Sequence, residues 1–154
     1  MQNFLLYESS NGIIIRQINY KTDIDDIIDI FDNLSEKDKE FTALCFEKKR
    51  NFVIDYAKKN QGLVAILDNK IVGVLIYVSY SGSRFTMMDE IVVSQKYRNM
   101  GVGKKLINKF HKVFKHTIAI THKDNNTMSN ILKKNGYEKL LENPYQGTIQ
   151  WIRI

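Results

Sequence analysis

The sequence is poor in the residues that cross-link a chain or punctuate it. Its 154 residues include one cysteine, one proline and one tryptophan. A single cysteine, Cys45, excludes an intrachain disulfide and a multi-cysteine metal site, and it fits a reducing, cytoplasmic setting. No stretch approaches the roughly 18 uncharged apolar residues that a membrane span needs. The longest, Ile71 to Tyr80, contains Gly73 and Ser79 and reads as a strand. The N-terminal MQNFLLYESSNG lacks a basic segment, and its apolar run from Phe4 to Tyr7 is too short for a secretory signal. No repeat, low-complexity tract or linker interrupts the chain, so one domain over residues 1–154 is expected.

What is present is ordinary for a folded domain: 44% hydrophobic and 26% charged residues. The 23 basic residues outnumber the 17 acidic ones, a net charge of +6. This surplus favours a polyanionic partner without choosing among nucleic acid, membrane surface and phosphorylated cofactor.

Periodicity supplies the element order. Ile13 to Tyr20 is rich in β-branched residues and reads as a strand. Ile24, Ile27, Ile28, Phe31 and Leu34 repeat at helical spacing after Thr22 or Asp23 as a cap. A second helix is expected from Glu36 to Lys59, carrying Phe41, Leu44, Cys45 and Tyr56, with a break near Arg50 or Asn51. LVAIL and IVGVLIYVSY flank the polar Asp68-Asn69-Lys70 as a hairpin. RFTMMDEIVV is apolar on both alternating faces, the pattern of a strand covered on both sides. A helix from Gly103, the short strand HTIAIT, a helix stopped by Gly136 and two last strands turned by Pro144 and Gly147 complete the chain. The order βααβββαβαββ implies an α/β (α+β) domain.

One junction carries chemistry. Between the strand ending at Val93 and the helix from Gly103 lies S-Q-K-Y-R-N-M-G-V-G-K-K. Gly101 and Gly103 permit tight turning and close backbone approach, so N–H groups at the helix start can point at an anion. Arg98, Lys104 and Lys105 add positive charge. A phosphate or pyrophosphate site follows. The P-loop pattern fails because Lys105 stands where it needs Ser or Thr, and GxGxxG fails because Leu106 replaces the third glycine.

The run R98-N-M-G101-V-G103 between strand and helix resembles motif A, Q/R-x-x-G-x-G/A, of the GNAT superfamily of N-acetyltransferases. E-I-V-V-S-Q-K-Y-R is similar to that family's V-x-P-x-x-R strand end, with Gln95 where proline is usual. Asn125, followed by Gly136-Tyr137, resembles its N-x-x-A…Y-x-x-x-G-F/Y signature. The resemblance implies the acyl-CoA N-acyltransferase fold, a mixed and mostly antiparallel sheet flanked by helices. It implies acetyl-coenzyme A as cosubstrate, lying where two parallel strands splay apart. Backbone groups of Ile91, Val92 and Val93 then pair with the pantetheine, Arg98, Asn99, Met100, Gly101, Val102, Gly103 and Lys104 hold the pyrophosphate, and Asn125 bonds the pantetheine arm or simply caps its helix.

The implied reaction is direct attack of a primary amine, on a small molecule or peptide, with the Val93 N–H as oxyanion donor. An ammonium cannot attack, so a carboxylate facing the cleft is required. Glu90, in an otherwise apolar strand where burial raises a carboxyl pKa, is the expected base; the alternative is that Glu90 or Asp89 pairs with a cation or reaches solvent. His122 is a weaker candidate. The tyrosine that often protonates the leaving thiolate in the family falls at Leu132, leaving Tyr137 and Tyr97 as alternatives.

No metal is expected: His111 and His116 are five apart and read as surface residues. Lysines 104, 105, 109, 112 and 115 read as a solvated face better than as a nucleic-acid face. The acceptor is expected to be chosen by the first two helices and the segments Tyr77 to Arg84 and Asn143 to Gly147. A non-catalytic acyl-CoA-binding domain and a basic nucleic-acid-binding module are the rival functions. No membrane partner is expected, and the oligomeric state stays open, although dimers are common in the family.

Overall fold

The computed structural model describes residues 8–10, 12–42 and 48–154. Phe4 to Tyr7, Leu44 and Cys45 lie outside the described residues. One sheet holds the strands β1 (Glu8–Ser10), β2 (Ile13–Gln17), β3 (Gly62–Leu67), β4 (Lys70–Ser79), β5 (Thr86–Val93), β6 (Thr117–His122), β7 (Glu138–Asn143) and β8 (Thr148–Arg153). Their spatial order is β1-β2-β3-β4-β5-β6-β8-β7. Every neighbouring pair is antiparallel except β5 and β6. The helices are α1 (Ile24–Asp32), α2 (Glu36–Phe41), α3 (Lys49–Lys58), α4 (Val102–Val113) and α5 (Asn126–Lys134).

The mixed, mostly antiparallel class is as expected, and two features of the order differ. A three-residue strand, β1, precedes the first expected one and pairs Glu8 to Ser10 with Ile15 to Ile13. The expected long helix from Glu36 to Lys59 is two helices. α2 stops at Phe41 because Thr42 turns extended (φ −85°, ψ 139°), and α3 starts at Lys49 rather than after a break at Arg50 or Asn51.

Each side of the sheet has its own apolar layer. α1 buries Ile24, Ile27, Ile28 and Phe31 with Val53 and Ala57 of α3 against Val64, Val74 and Ile76. On the other side α4 sets Val102, Leu106, Ile107 and Phe110 against Leu63, Ala65 and Leu75. That approach depends on Gly73, where a Cβ would sit 2.9 Å from Val102 Cγ1 and 3.2 Å from Leu106 Cδ1. The strand covered on both sides is β4, buried throughout from Val72 to Tyr77. β5 instead keeps every second residue half-exposed, so along it the two faces of the sheet are unequally covered.

Asp23 does not cap α1 with its side chain. It accepts from both terminal nitrogens of Arg16, at 2.6 and 2.8 Å, and from the Asn19 N–H. Burial pushes this carboxyl up, but the Arg16 and Asn19 bonds outweigh it and hold it below the usual carboxylate range.

Candidate functional site

β5 and β6 pair only from Thr86↔Thr117 to Met88↔Ala119. Beyond Met88, β5 continues to Val93 with β4 alone as neighbour. The Ser94 N–H bonds the Val72 carbonyl at 2.8 Å, on the β4 side. Peptide groups alternate along an extended strand, so those of Val93 and Ile91 face the opposite edge, where β6 has already diverged. The opening starts at a bulge: Met88 stands opposite Tyr77 and Glu90 opposite Ile76, leaving Asp89 without a partner on β4.

The loop after β5 makes one 3-10 turn, Gln95–Tyr97, and then places Asn99 (φ 62°) and Gly101 (φ 81°) in the left-handed region. Gly101 is the N-cap of α4 and supplies no side-chain cap, and the first turn of α4 contains no acidic residue. The positive end of the helix dipole and its uncapped N–H groups therefore face the cleft without local neutralisation. A Cβ at Gly103 would meet only Val93 Cγ2, at 3.6 Å, so packing does not demand glycine there.

These elements wall a cleft of about 910 Å³, ample for a large cosubstrate. Glu90, Ile91, Val92, Val93, Arg98, Asn99, Gly101, Val102, Gly103, Lys104 and Asn125 all line it; Met100 does not and is half-exposed to solvent. The Val102 side chain is buried against β4, which leaves its peptide group as the part available to a ligand. Arg98 behaves differently from a free phosphate clamp. Its Nε donates to the Val93 carbonyl at 3.3 Å and its Nη1 to Asp38 Oδ2 at 2.8 Å, tying the loop to α2. Asn125 Oδ1 accepts from the Met128 N–H at 3.1 Å and so caps α5.

A family model described as "Acetyltransferase (GNAT) family" matches residues 25–137. The chain belongs to the GNAT acetyltransferase family. Solved structures share its fold at low identity. The PaiA N-acetyltransferase of Thermoplasma acidophilum, in complex with coenzyme A, superposes with a TM-score of 0.76 at 16% identity over 92% of this chain and 98% of its own. A GNAT-family acetyltransferase of Streptococcus agalactiae gives 0.76 at 18% identity over 95% and 97%. N-acetylglutamate synthase of Neisseria gonorrhoeae, complexed with coenzyme A and N-acetyl-glutamate, gives 0.76 at 14% identity over 94% of this chain and 35% of its own. No curated protein sequence matches.

Against this family's pattern several side chains fall in unexpected places. Leu132 is fully buried among the apolar residues under β6 and β8. Tyr137 is a core residue: its hydroxyl accepts from Thr117 Oγ1 at 2.7 Å and lies 2.9 Å from His111 Nε2, and burial pushes it up to about 12. Of the two alternative tyrosines only Tyr97 lines the cleft. His122 packs its ring on Phe41 at 5.5 Å and accepts from the Asp124 N–H.

His111 is half-buried and not simply at the surface. Its ring is tilted against those of Phe110 and Tyr137, and burial, with the nearby Arg153 charge, lowers it to about 4. Lys109, expected on the solvated face of α4, is only 3% exposed. Among the described residues no three His, Cys, Asp or Glu groups converge, and no helix is long and apolar enough to cross a membrane.

Of the segments expected to choose the acceptor, Leu34 and the α2 residues Lys37, Asp38 and Phe41 reach the cleft, whereas residues 77–84 and 143–147 do not line it. α2 buries none of its residues and is held by the Ser35 cap, the Arg98–Asp38 pair and the Phe41–His122 ring contact.

Sequence reasoning missed Tyr56. It lies on α3, and its hydroxyl donates to Asp89 Oδ2 at 2.7 Å, at the bulge itself. The apolar spacing of α3 marks Tyr56 only as one more core residue, and no sequence signal pairs it with Asp89.

Proposed function

We propose that the protein is an N-acetyltransferase that moves an acetyl group from acetyl-coenzyme A to a primary amine of a small molecule or peptide, acting in the cytoplasm. The observation that carries this reading is the continuous path from the open Ile91–Val93 edge to the uncapped start of α4. An amide-bearing arm can pair with that edge as a missing strand pairs, and a diphosphate can take up the N–H groups at Gly101 to Lys104. Coenzyme A in two structures of the same fold supports it.

The amine nitrogen attacks the thioester carbonyl carbon, the N–C bond forms, and the C–S bond breaks. The Val93 N–H faces the gap and donates to the carbonyl oxygen as charge builds there. Glu90, 8% exposed and lining the cleft, takes the proton that the nitrogen must lose, directly or through one water. The sulfur leaves as thiolate and is protonated from solvent; a thiol pKa near 8.5 makes this step tolerable without an acid. The acceptor enters from the α2 side, past Lys37, Asp38 and Phe41.

One observation favours a second reading: the family's usual acid position is the buried Leu132, so a coenzyme-binding domain without turnover retains weight. Titration calorimetry with coenzyme A, followed by thiol release from acetyl-coenzyme A with spermidine, kanamycin and a free N-terminal peptide, separates the two. Binding with amine-dependent thiol release supports the transferase. Binding without release on any amine supports the second reading, and absence of binding at millimolar coenzyme A sinks both.

A further inference from the structure

We infer that Tyr56 is a positioning residue for acetyl transfer: by holding Asp89 at the β5 bulge, it fixes the direction of the neighbouring Glu90 carboxyl. This rests on the transferase reading above.

Asp89 is the one residue of β5 that has no counterpart on β4 between Tyr77 and Glu90's partner Ile76, and it directly follows Met88, where pairing with β6 ends. The same residue thus marks the bulge on one edge and the start of the opening on the other. A bulge residue has no residue directly opposite it and the ladder is locally disrupted there, so a side-chain contact can set its conformation. That side chain is gripped by Tyr56, whose hydroxyl lies 2.7 Å from Asp89 Oδ2. Tyr56 is itself held rigidly: its ring stacks on Phe52 at 4.4 Å, and α3 packs Val53 and Ala57 into the core with α1. Burial and the facing Asp89 carboxylate, with Tyr80 and Glu90 nearby, push the phenol well above its ordinary value, so it remains a donor at any working pH. Glu90 is next in the chain, and the bulge decides which way its carboxyl points. A base displaced by about an ångström costs on the order of 100-fold in rate.

Tyr56→Phe removes one oxygen and keeps the stacked ring. Amide hydrogen exchange on the ligand-free protein provides a first readout: the Glu90 and Val92 amides, on the β4 side, should exchange faster in Tyr56→Phe while those of β3 stay unchanged. Turnover of the fastest panel amine provides the second. In Tyr56→Phe and in Asp89→Ala, kcat should fall by about 10-fold or more, with KM for acetyl-coenzyme A and coenzyme A affinity little changed. The double variant should be no slower than the slower single variant, since both remove one contact. Unchanged exchange at Glu90 and Val92, wild-type kcat in Tyr56→Phe, or multiplicative losses in the double variant would each overturn the assignment. Loss of coenzyme A binding by the wild-type protein is the separate result that defeats the transferase reading, and the exchange readout still judges the Tyr56–Asp89 hold on β5.

Discussion

Gly73 does not line the cleft, yet its replacement should disturb coenzyme binding. A Cβ there would stand 2.9 Å from Val102 Cγ1, 3.2 Å from Leu106 Cδ1 and 3.3 Å from the Val92 carbonyl oxygen. Ordinary carbon contacts begin near 3.5 Å, so in Gly73→Ala the first residue of α4 must retreat by roughly 0.6 Å or more. Overpacking of this kind costs about 1–3 kcal/mol. At roughly 2–4 °C per kcal/mol for a domain of this size, Tm should fall by several degrees. The residue displaced is Val102, whose peptide group belongs to the proposed diphosphate cradle, so coenzyme A affinity should fall as well.

Gly103→Ala is the control. Its Cβ makes only an ordinary 3.6 Å contact with Val93 Cγ2, and alanine in a helix is favoured over glycine by about 1 kcal/mol. That variant should be more stable than wild type. Thermal unfolding followed by circular dichroism, paired with coenzyme A titration, measures both effects. A Gly73→Ala protein as stable as wild type with undiminished coenzyme A affinity, or a Gly103→Ala protein that is less stable, would refute the packing argument.

Three further outcomes are expected. Glu90→Gln should lower turnover at neutral pH by about 100-fold or more while leaving coenzyme A affinity intact; an unaltered pH–rate profile would remove Glu90 from the base role. His111 is held neutral with a pKa near 4 in the fold against an ordinary value of 6.5, so the unfolded chain binds the additional proton between those values. Stability should therefore drop as pH falls from about 6.5 to 4, and urea titrations should find that drop reduced in His111→Gln. Asp38→Ala releases α2 from Arg98 and should raise KM for the amine more than for acetyl-coenzyme A; equal KM values for both substrates in variant and wild type would contradict an acceptor-side role for α2.

The strand-to-helix junction after β5 was legible in the sequence because its backbone constrains residue type. A strand-to-helix junction with glycines at Gly101 and Gly103 and no acid nearby leaves few readings, and the left-handed Gly101 is one that side chains disfavour. Helices α1 and α4 were legible through their one-sided apolar repeats. The break after Phe41 was not, since no glycine or proline marks Thr42 and the break lies in its backbone torsions. Nor were the fates of Lys109, His111 and Tyr56. Each sits at a helical position whose burial or partner is set by residues distant in sequence: Tyr137 for His111, and Asp89 for Tyr56. Arg98 illustrates the same limit from within the motif, its charge being directed to Asp38 across 60 residues of chain.

The central claim is that main-chain groups of β5 and α4 form the coenzyme site, and backbone amide NMR during titration with coenzyme A addresses it residue by residue. The account predicts saturable shifts at Ile91, Val93 and Gly101 through Lys104, with β2 and β3 undisturbed. Shifts confined to other parts of the surface, or none at millimolar coenzyme A, would contradict it.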